Sequence, residues 1–363
     1  MFHLPFDLYP LLRPFLFSLD PETAHKLAIA SIKWGIFPIT KVHKEDVLRT
    51  SIGGIDFEHP IGLAAGFDKQ AEIIQQTFKL GFSFTEVGGV TPLPQTGNPR
   101  PRMFRIANAK AVINRFNFNS IGFNACLRRF QAWHDSTTRG LRPVVGINIA
   151  KGDHCADDAE AYILGLTKFA PYVRFVTLNV SCPNEPGARS LEGKDKLKEL
   201  LRRVKQAHES LTIKPLLFVK ISPDQTEEQA RDIAEVALAS GIDGMIVGNT
   251  TATRPASVSS SVAKERGGLS GKPLFEMSTK ILGAMYRLTE GKIPLIGCGG
   301  VFSGADAYAK IRAGASLVQI YTAMVFEGPC VVATITDELA ALLKRDGFAS
   351  VSEAVGADFK KRS

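Results

Sequence analysis

Eight short apolar runs, spaced along the chain from residue 60 onward, constrain the fold more than any other feature of this sequence. Each run ends at a polar or glycine-containing tip and is followed by an amphipathic stretch. Near-continuous apolar runs are typical of strands that are buried on both faces of a parallel sheet, and their alternation with helical patterns indicates repeated βα units. The runs cover residues 60–65, 84–89, 144–150, 175–181, 216–222, 244–250, 293–300 and 317–322.

Eight βα units close into a barrel more readily than into an open sheet. We therefore predict an α/β fold, a (β/α)8 TIM barrel with an N-terminal helical extension. A doubly wound open sheet is the alternative, but it needs a GxGxxG turn after its first strand, and the turn here is AAGFDK. Helical periodicity over 196–210 and 226–240 fits the barrel, and the second of these helices begins with a capping-box pattern at Thr226 and Gln229.

Three segments lie outside the repeat. Residues 1–45 contain helical patterns over 8–17 and 21–34, and we assign them to the extension, with the barrel domain covering 46–363. Residues 50–58 and about 100–113 are predicted to be strand or hairpin additions to the barrel. The connection over 251–271 is rich in serine and glycine, which predicts an active-site loop.

Charge and cysteine content limit the classes of partner. The formal net charge of +8 is compatible with a polyanion, but the basic residues are dispersed and form no nucleic-acid motif, so we expect no nucleic-acid partner. A phosphate-bearing cofactor or an anionic membrane surface explains the charge equally well. Five cysteines without a CxxC pair favour a reducing compartment over a disulfide framework or a zinc site. No apolar stretch is long enough to span a bilayer, and no signal peptide is visible.

The carboxyl ends of the predicted strands carry a ring of polar residues, where a barrel of this type places its active site. The ring is rich in amides and contains two lysines, but it has no carboxylate pair and no histidine. This composition excludes glycosidase-type acid–base catalysis and disfavours a metal centre. Its members are Lys69, Gly89, Thr91, Asn148, Asn179, Cys182, Asn184, Lys220, Asn249, Thr250, Gly299, Gly300, Tyr321 and Thr322, with Asn114 and Asn119 from the hairpin.

The residue types in this ring predict the kind of ligand. Amides offer both donors and acceptors, which suits a planar heterocycle, and lysines suit an anionic oxygen. Glycines after the seventh strand and polar residues after the eighth are typical of a barrel phosphate site, so a mononucleotide cofactor is our hypothesis. Cys182 has polar neighbours, and since a free thiol has a pKa of about 8.5, it is a candidate general acid or base.

A series of short segments runs along nearly the full chain. In order they are DPETAH, LAAGFDK, VTPLPQTGNPRPRMFR, INRFNFNS, GINIAK, LNVSCPNEPG, FVKISPD, GNTT, GGLSGKPL, GCGG and ASLVQIYT. This series resembles the dihydroorotate dehydrogenase family, and more narrowly its class 2, quinone-dependent and membrane-associated type. The resemblance implies oxidation of (S)-dihydroorotate to orotate in de novo pyrimidine (UMP) biosynthesis, with FMN as cofactor and ubiquinone or menaquinone as electron acceptor.

The resemblance also implies roles for individual residues. Cys182 would be the catalytic base that takes the C5 proton of the substrate as hydride leaves C6. Residues of the flavin site would be Ala65, Gly66, Lys69, Gly89, Asn148, Asn179, Lys220, Gly248, Gly271, Gly300, Tyr321 and Thr322. Residues of the substrate site would be Lys69, Asn114, Phe118, Asn179, Asn184, Asn249 and Thr250. A quinone tunnel would contain His25, Arg105 and Tyr321.

In the class 2 enzymes the N-terminal extension lies on the membrane and forms the quinone tunnel, so the resemblance implies a peripheral protein at the cytoplasmic face of the inner (cell) membrane. The extension has the apolar side chains that such a surface needs. The alternative is that these side chains only pack against the barrel. They are Phe2, Leu4, Phe6, Leu8, Leu11, Leu12, Phe15, Leu16 and Phe17.

Four positions depart from the class 2 pattern. Cys182 stands where that class has serine, and Asn117 replaces a glycine of the substrate loop. Gly89 and Gly248 stand where the family usually has a hydroxyl, and we expect each loss to weaken flavin binding by about 1 kcal/mol. A related FMN-dependent oxidoreductase acting on another dihydropyrimidine or enone, or one with class 1-like acceptor specificity, is the alternative. A catalytically silent, membrane-bound binding module is disfavoured by the intact lysines of the ring.

Overall fold

The computed structural model describes residues 7–37, 41–137, 143–153, 155, 157–181, 189–258 and 260–360. Its first elements are the helices α1 (Tyr9–Ser18) and α2 (Pro21–Lys33), within one residue of the helical patterns in the sequence. Asp20 separates them and caps α2, because its carboxylate accepts a hydrogen bond from the backbone N–H of Thr23 at 2.9 Å.

The extension is anchored to the rest of the chain by a buried ion pair. Glu22 on α2 accepts from the guanidinium of Arg102 at 3.0 and 3.1 Å, and both side chains are only 8% exposed. Arg100 adds a bond to the same carboxylate at 2.8 Å. The phenol of Tyr9 on α1 also donates to the backbone carbonyl of Val325. These contacts fix both helices against the carboxyl-terminal end of the barrel.

Parallel strands form a closed barrel, which confirms the predicted fold. All eight apolar runs of the sequence contribute a strand. The barrel strands are β3 (Ile61–Leu63), β4 (Phe84–Val90), β7 (Val144–Ile149), β8 (Phe175–Asn179), β9 (Leu216–Ile221), β10 (Gly244–Val247), β12 (Leu295–Cys298) and β13 (Ala315–Ile320). Around the barrel the order is β10, β12, β13, β3, β4, β7, β8, β9, and each pair of neighbours is parallel.

Helices cover the outside of the barrel. The capping box predicted at Thr226 is confirmed: its hydroxyl accepts from the backbone of Gln229, whose side chain accepts in return from the Thr226 backbone. The helices that follow α2 are α3 (Ile74–Lys79), α4 (Gly122–Ser136), α5 (Asp158–Phe169), α6 (Lys194–Glu209), α7 (Glu227–Ser240), α8 (Phe275–Leu288), α9 (Gly304–Arg312), α10 (Thr322–Glu327), α11 (Val331–Arg345) and α12 (Val351–Ala354).

Two smaller sheets decorate the barrel. The hairpin of β1 (Thr50–Ile52) and β2 (Ile55–Phe57) closes its amino-terminal end, as expected for residues 50–58. An antiparallel sheet joins β5 (Met103–Ile106), β6 (Ala111–Asn114) and β11 (Gly268–Gly271) at the opposite end. The prediction of a loop over 251–271 is therefore wrong for its last four residues, which form β11. Leu269 on β11 is buried against β5 and β6. The strand has only four residues, GLSG, and so short a run carries no strand periodicity that could have revealed it.

The barrel interior is layered. Rings from Phe84, Phe175 and Phe218 fill the layer nearer the amino-terminal end. The centroids of Phe84 and Phe175 are 6.3 Å apart, and those of Phe175 and Phe218 are 5.5 Å apart. A Cβ at Gly62 or Gly146 would lie within 2.4 Å of these rings, so glycine is required where they pack. Since residues two apart on a strand share a face, the layer above is polar. It contains Glu86, Thr177, Lys220 and Gln319.

Candidate active site

A polar cleft opens at the carboxyl-terminal end of the barrel, in two adjoining cavities that share Ala65, Lys220 and Tyr321. Most of the predicted site residues within the described ranges come together here. They are Ala65, Gly66, Lys69, Gly89, Asn114, Phe118, Asn179, Lys220, Asn249, Thr250, Gly271, Gly300, Tyr321 and Thr322. Asn148 and Gly248 lie beside the cleft rather than in its lining. Cys182 and Asn184 fall outside the described residues, so their roles stay predictions.

Lys220 is the buried cation of the cleft. Its side chain projects from β9 into both cavities, and the residue is 4% exposed. Its ammonium makes no hydrogen bond or ion pair with the residues that the structure describes. A buried ammonium without such partners is costly, so its presence favours a ligand that carries negative charge or develops it. The position and the chemistry both fit an electron-accepting heterocycle.

Lys69 belongs to the outer part of the cleft. Its ammonium donates to Asn119 Oδ1 at 2.7 Å and lies 3.7 Å from the centroid of the Phe116 ring. An amide and an aromatic face together hold this ammonium in place. Lys69 also lines the cavity, and a cation there suits an anionic substituent of a ligand.

A glycine loop after β12 has the backbone shape of an anion site. Gly299 and Gly300 have φ values of 108° and 78°, and a Cβ at Gly300 would lie 2.4 Å from the backbone nitrogen of Phe275. Behind the loop, Lys310 donates to Ser278 Oγ at 2.6 Å, and this hydroxyl lies 2.9 Å from the Gly299 carbonyl. Burial lowers the pKa of Lys310 to about 7. Such a loop presents backbone N–H groups to a phosphate.

Amide side chains form a continuous hydrogen-bonded chain across the cleft floor. Asn179 Nδ2 donates to Asn148 Oδ1 at 2.9 Å, and Asn148 Nδ2 donates to Glu86 Oε1 at 2.7 Å. Asn249 Nδ2 donates to Ser181 Oγ at 2.9 Å and lies 3.5 Å from Asn179 Oδ1. The amides are therefore fixed before any ligand binds.

Each glycine that departs from the family pattern has a steric reason in this structure. A Cβ at Gly89 would lie 2.9 Å from the Phe118 ring and 3.2 Å from Asn148 Oδ1. At Gly248, with φ of 120°, a Cβ would lie 2.1 Å from the Cys298 carbonyl oxygen. The backbone and the neighbouring ring occupy the space that a hydroxyl-bearing side chain would need.

Asn117, the third departure, adopts φ of 55°, which asparagine tolerates better than most residues. Its Nδ2 donates to the Asp153 carboxylate at 3.1 and 3.2 Å, and this tethers the substrate loop to the segment after β7. The side chain that replaces the usual glycine therefore has a definite place.

A second, apolar cavity lies between the extension and the barrel. Its lining includes His25 and Arg105, two of the three predicted tunnel residues. The apolar cavity and the polar cleft share Met103 and Val325 in their linings. Tyr321 lines the cleft, and its ring centroid is 6.3 Å from that of His25. Other lining residues are Tyr9, Leu16, Phe17, Ala24, Ala28, Ile32, Phe37, Phe67, Met103, Met324 and Val325.

Burial controls the polar groups of the apolar cavity. It lowers the pKa of His25 to about 4, an effect that the charge of Lys69 reinforces, so the imidazole is neutral at pH 7. It also lowers the pKa of Arg105, whose guanidinium lies 4.2 Å from the Phe17 ring and donates to the Phe17 carbonyl at 3.1 Å. Arg105 Nε is buried without a hydrogen-bond partner in the described residues.

Comparisons with known proteins show the family of this chain. The family model "Dihydroorotate dehydrogenase" matches residues 47–343. A "Dihydroorotate dehydrogenase (quinone)" of Azorhizobium caulinodans is 49% identical over 98% of this chain and 100% of its own length. The mitochondrial mouse protein of the same name is 48% identical, over 94% of this chain and 88% of its own. The chain belongs to the dihydroorotate dehydrogenase family.

A solved structure shows the same fold. The dihydroorotate dehydrogenase of Eimeria tenella, crystallised in complex with ferulenol, superposes with a TM-score of 0.90 at 39% identity. The match covers 95% of this chain and 99% of that one. The family and the barrel predicted from the motifs are thus confirmed. Dihydroorotate dehydrogenases are flavin-dependent enzymes, and a flavin is the cofactor that this site must accommodate.

Several residues of this dihydroorotate dehydrogenase site were missed in the sequence. Gln319 lines the cleft and Glu86 lies beneath it, hydrogen-bonded to Gln319, while Ser270 on β11 accepts from the Thr322 hydroxyl at 3.0 Å. A signal existed for Glu86, since a carboxylate on the buried face of an apolar strand needs a partner. None existed for Ser270, because its place depends on the unexpected strand. Within the described ranges, no group of His, Cys, Asp and Glu could hold a metal ion.

Proposed function

We propose that this chain oxidises (S)-dihydroorotate to orotate, with FMN as its cofactor and a membrane quinone, ubiquinone or menaquinone, as its electron acceptor. The observation that carries the proposal is that a polar cleft with a buried lysine adjoins an apolar cavity, with Met103 and Val325 in the lining of both. A polar substrate and an apolar acceptor would need two such compartments on either side of one redox cofactor. The quinone named for the bacterial and mouse relatives supports the same acceptor.

The residues of the cleft fit FMN. The glycine loop at Gly299 and Gly300 suits its phosphate, and Lys220 suits the ring edge on which negative charge collects. Gln319 Oε1, buried and without a partner in the described part of the chain, suits a ligand N–H. When bound, FMN accepts a hydride from the substrate and passes its electrons to the quinone. The flavin-site assignments made from the sequence, including those of Asn148 and Gly248, form part of this proposal.

Substrate binding is assigned to the outer half of the cleft. Lys69 would hold the anionic group of dihydroorotate, and the amides of Asn114, Asn179 and Asn249 would meet the donors and acceptors of its ring. Phe118, Thr250 and Asn184 complete the proposed set. In this proposal Cys182 removes the C5 proton. Its thiol ionises more readily than the hydroxyl of serine, so the base works at lower pH.

The extension, residues 1–45, is proposed to bind the membrane and to admit the quinone, with 46–363 as the catalytic domain. Large apolar side chains on its two helices face solvent: Leu11 and Trp34 are each 77% exposed, and Phe15 is 60% exposed. An amphipathic surface of this kind binds at the lipid interface. Among the described residues no helix is both long and apolar enough to cross a bilayer. We propose peripheral attachment at the cytoplasmic face of the inner membrane.

The proposal is tested by flavin bleaching. Purified protein should contain stoichiometric FMN, and anaerobic dihydroorotate should bleach its visible absorbance. Quinone should then restore the colour faster than fumarate or NAD does. Absence of bleaching refutes the substrate, and faster reoxidation by fumarate or NAD refutes the acceptor.

The role of Cys182 needs a test of its own. In a Cys182→Ser variant we expect the pH profile of bleaching to move to higher pH, because the hydroxyl is a weaker acid. Cys182→Ala should slow bleaching at every pH without changing FMN content. An unchanged profile in the serine variant excludes Cys182 as the base.

A second candidate function is oxidation of another dihydropyrimidine or enone. The observation in its favour is Asn117, whose tether to Asp153 changes the loop that covers the substrate. A panel of dihydropyrimidines in the same bleaching assay separates the two, since the true substrate reduces the flavin fastest.

A further inference from the structure

We propose that Glu86 is a positioning residue, whose buried carboxylate sets the direction in which the amides of the cleft present their donors and acceptors. Glu86 lies on β4, two residues after Phe84, and is fully buried in the polar layer of the barrel. It does not line the cleft, so it would act only through other side chains. The identity of the ligands, FMN and orotate, rests on the proposed function. The hydrogen bonds of Glu86 do not depend on which ligand binds.

Both oxygens of the carboxylate accept hydrogen bonds from amides. Asn148 Nδ2 donates to Oε1 and Gln319 Nε2 donates to Oε2, each at 2.7 Å. The two ends of an amide have nearly the same shape, so an amide in a neutral pocket could bind in either orientation. A carboxylate accepts only. Glu86 therefore turns both NH2 groups toward itself and both amide oxygens away.

This direction propagates to residues that line the cleft. Asn148 Oδ1, turned away from Glu86, accepts from Asn179 Nδ2 at 2.9 Å. The Asn179 oxygen then points to the opposite side, where it accepts from the Ser181 N–H and hydroxyl at 3.4 Å and Asn249 Nδ2 lies at 3.5 Å. A reversal at Asn148 would place two NH2 groups against each other. The carboxylate and Ser181 therefore favour the same direction of the Asn179 amide, which is the one that a heterocycle meets in the cleft.

On the other side of the carboxylate, the same constraint acts on Gln319, which lines the cavity that also contains Gly299 and Gly300. Because Glu86 engages Nε2, the amide oxygen is the group left over, and Oε1 is buried without a partner among the described residues. A buried carbonyl without a donor is unfavourable, so this atom indicates an N–H of the bound ligand. Without Glu86, Gln319 could present either end.

The charge of Glu86 has a cost that a purely structural group would avoid. Burying a carboxylate is unfavourable even when it is hydrogen-bonded, and apolar side chains in place of Glu86 and its two amide partners would stabilise the fold at least as well. What an apolar side chain cannot provide is a direction for the two amides. The role of the buried carboxylate is therefore to orient the two amides.

A Glu86→Gln variant tests the inference, because it keeps the shape of the side chain and replaces one acceptor with a donor. We expect the Kd of the apoprotein for FMN, measured by fluorescence titration, to rise about tenfold, and the Kd of the loaded protein for orotate to rise similarly. Thr177→Val is the matched control. Thr177 Oγ1 is buried in the same layer and has no partner within the described ranges, so removing it should change either Kd by less than about twofold.

A double variant separates positioning from structure. In Glu86→Gln with Asn148→Asp, the new amide at position 86 donates to the new carboxylate at position 148, which still accepts from Asn179. We expect the orotate Kd to return to within about threefold of the wild type. If Glu86→Gln alone does not fold, recovery of folding and FMN binding by the double variant supports the inference in its place.

Two results overturn the inference: Kd values for Glu86→Gln that match those of Thr177→Val, or a double variant that binds more weakly than the single one. The FMN titration needs no turnover. Wild-type protein that binds FMN but is not bleached by dihydroorotate refutes the proposed substrate, while the FMN Kd of the Glu86 variants still decides the inference.

Discussion

Lowering the pH from 7.5 to 5.0 should destabilise this protein through His59, a buried residue between β2 and β3. Both ring nitrogens are used in the neutral form. Nε2 lies 2.9 Å from the Gly81 carbonyl, which can only accept, so Nε2 carries the proton. Nδ1 then accepts from the backbone N–H of Ile61 at 3.3 Å. A proton on Nδ1 would oppose that N–H.

Burial lowers the pKa of His59 from 6.5 to about 4. In this pH range the unfolded chain binds the proton more tightly than the folded one, so stability is complete above about pH 6.5 and is lost as the pH falls toward 4. The full difference corresponds to about 3.4 kcal/mol. At pH 5.0 the loss from this histidine is about 2 kcal/mol.

Urea unfolding followed by tryptophan fluorescence measures this loss. Between pH 7.5 and 5.0, wild-type protein should lose about 2 kcal/mol more unfolding free energy than a His59→Gln variant, whose amide can still donate to Gly81. Contributions from His25, which burial also affects, are common to both proteins and cancel. His134→Gln, an exposed position at the end of α4, should behave as the wild type. Parallel losses in wild type and His59→Gln would refute the reasoning.

Other predictions concern the cleft and the extension. Lys220→Met should raise the melting temperature of the apoprotein, because it removes a buried charge that has no ion-pair partner among the described residues, and it should weaken FMN binding about tenfold; a lower melting temperature contradicts this. Gly300→Ala should cost about 2 kcal/mol more unfolding free energy than Gly347→Ala, since both have φ near 80° but only Gly300 lacks room for a Cβ; equal losses argue otherwise. Leu11→Glu with Phe15→Glu should reduce cosedimentation with anionic vesicles about tenfold and leave dihydroorotate bleaching unchanged; undiminished cosedimentation counts against the membrane surface.

Much of the fold could be predicted because its signals are local. An apolar run buried on both faces, such as 175–181, marks a strand in any tertiary context, and the Thr226 capping box depends on residues three apart. β11 could not be predicted in this way. Its four residues form a strand only because β6 offers a free edge, and that edge is created by residues more than 150 positions away.

The polar ring was also determined by the sequence, since residues that follow parallel strands must meet at one end of a barrel. Lys69, Asn179, Lys220 and Thr322 needed only their strand positions to be placed there. What the sequence could not determine was how these groups are oriented. Glu86 accepts from the amides of Asn148 and Gln319, and it meets Gln319 only because the closed barrel brings residues 233 positions apart within 2.7 Å. Composition and motif order identify the family, whereas hydrogen-bond direction is a property of the packed interior.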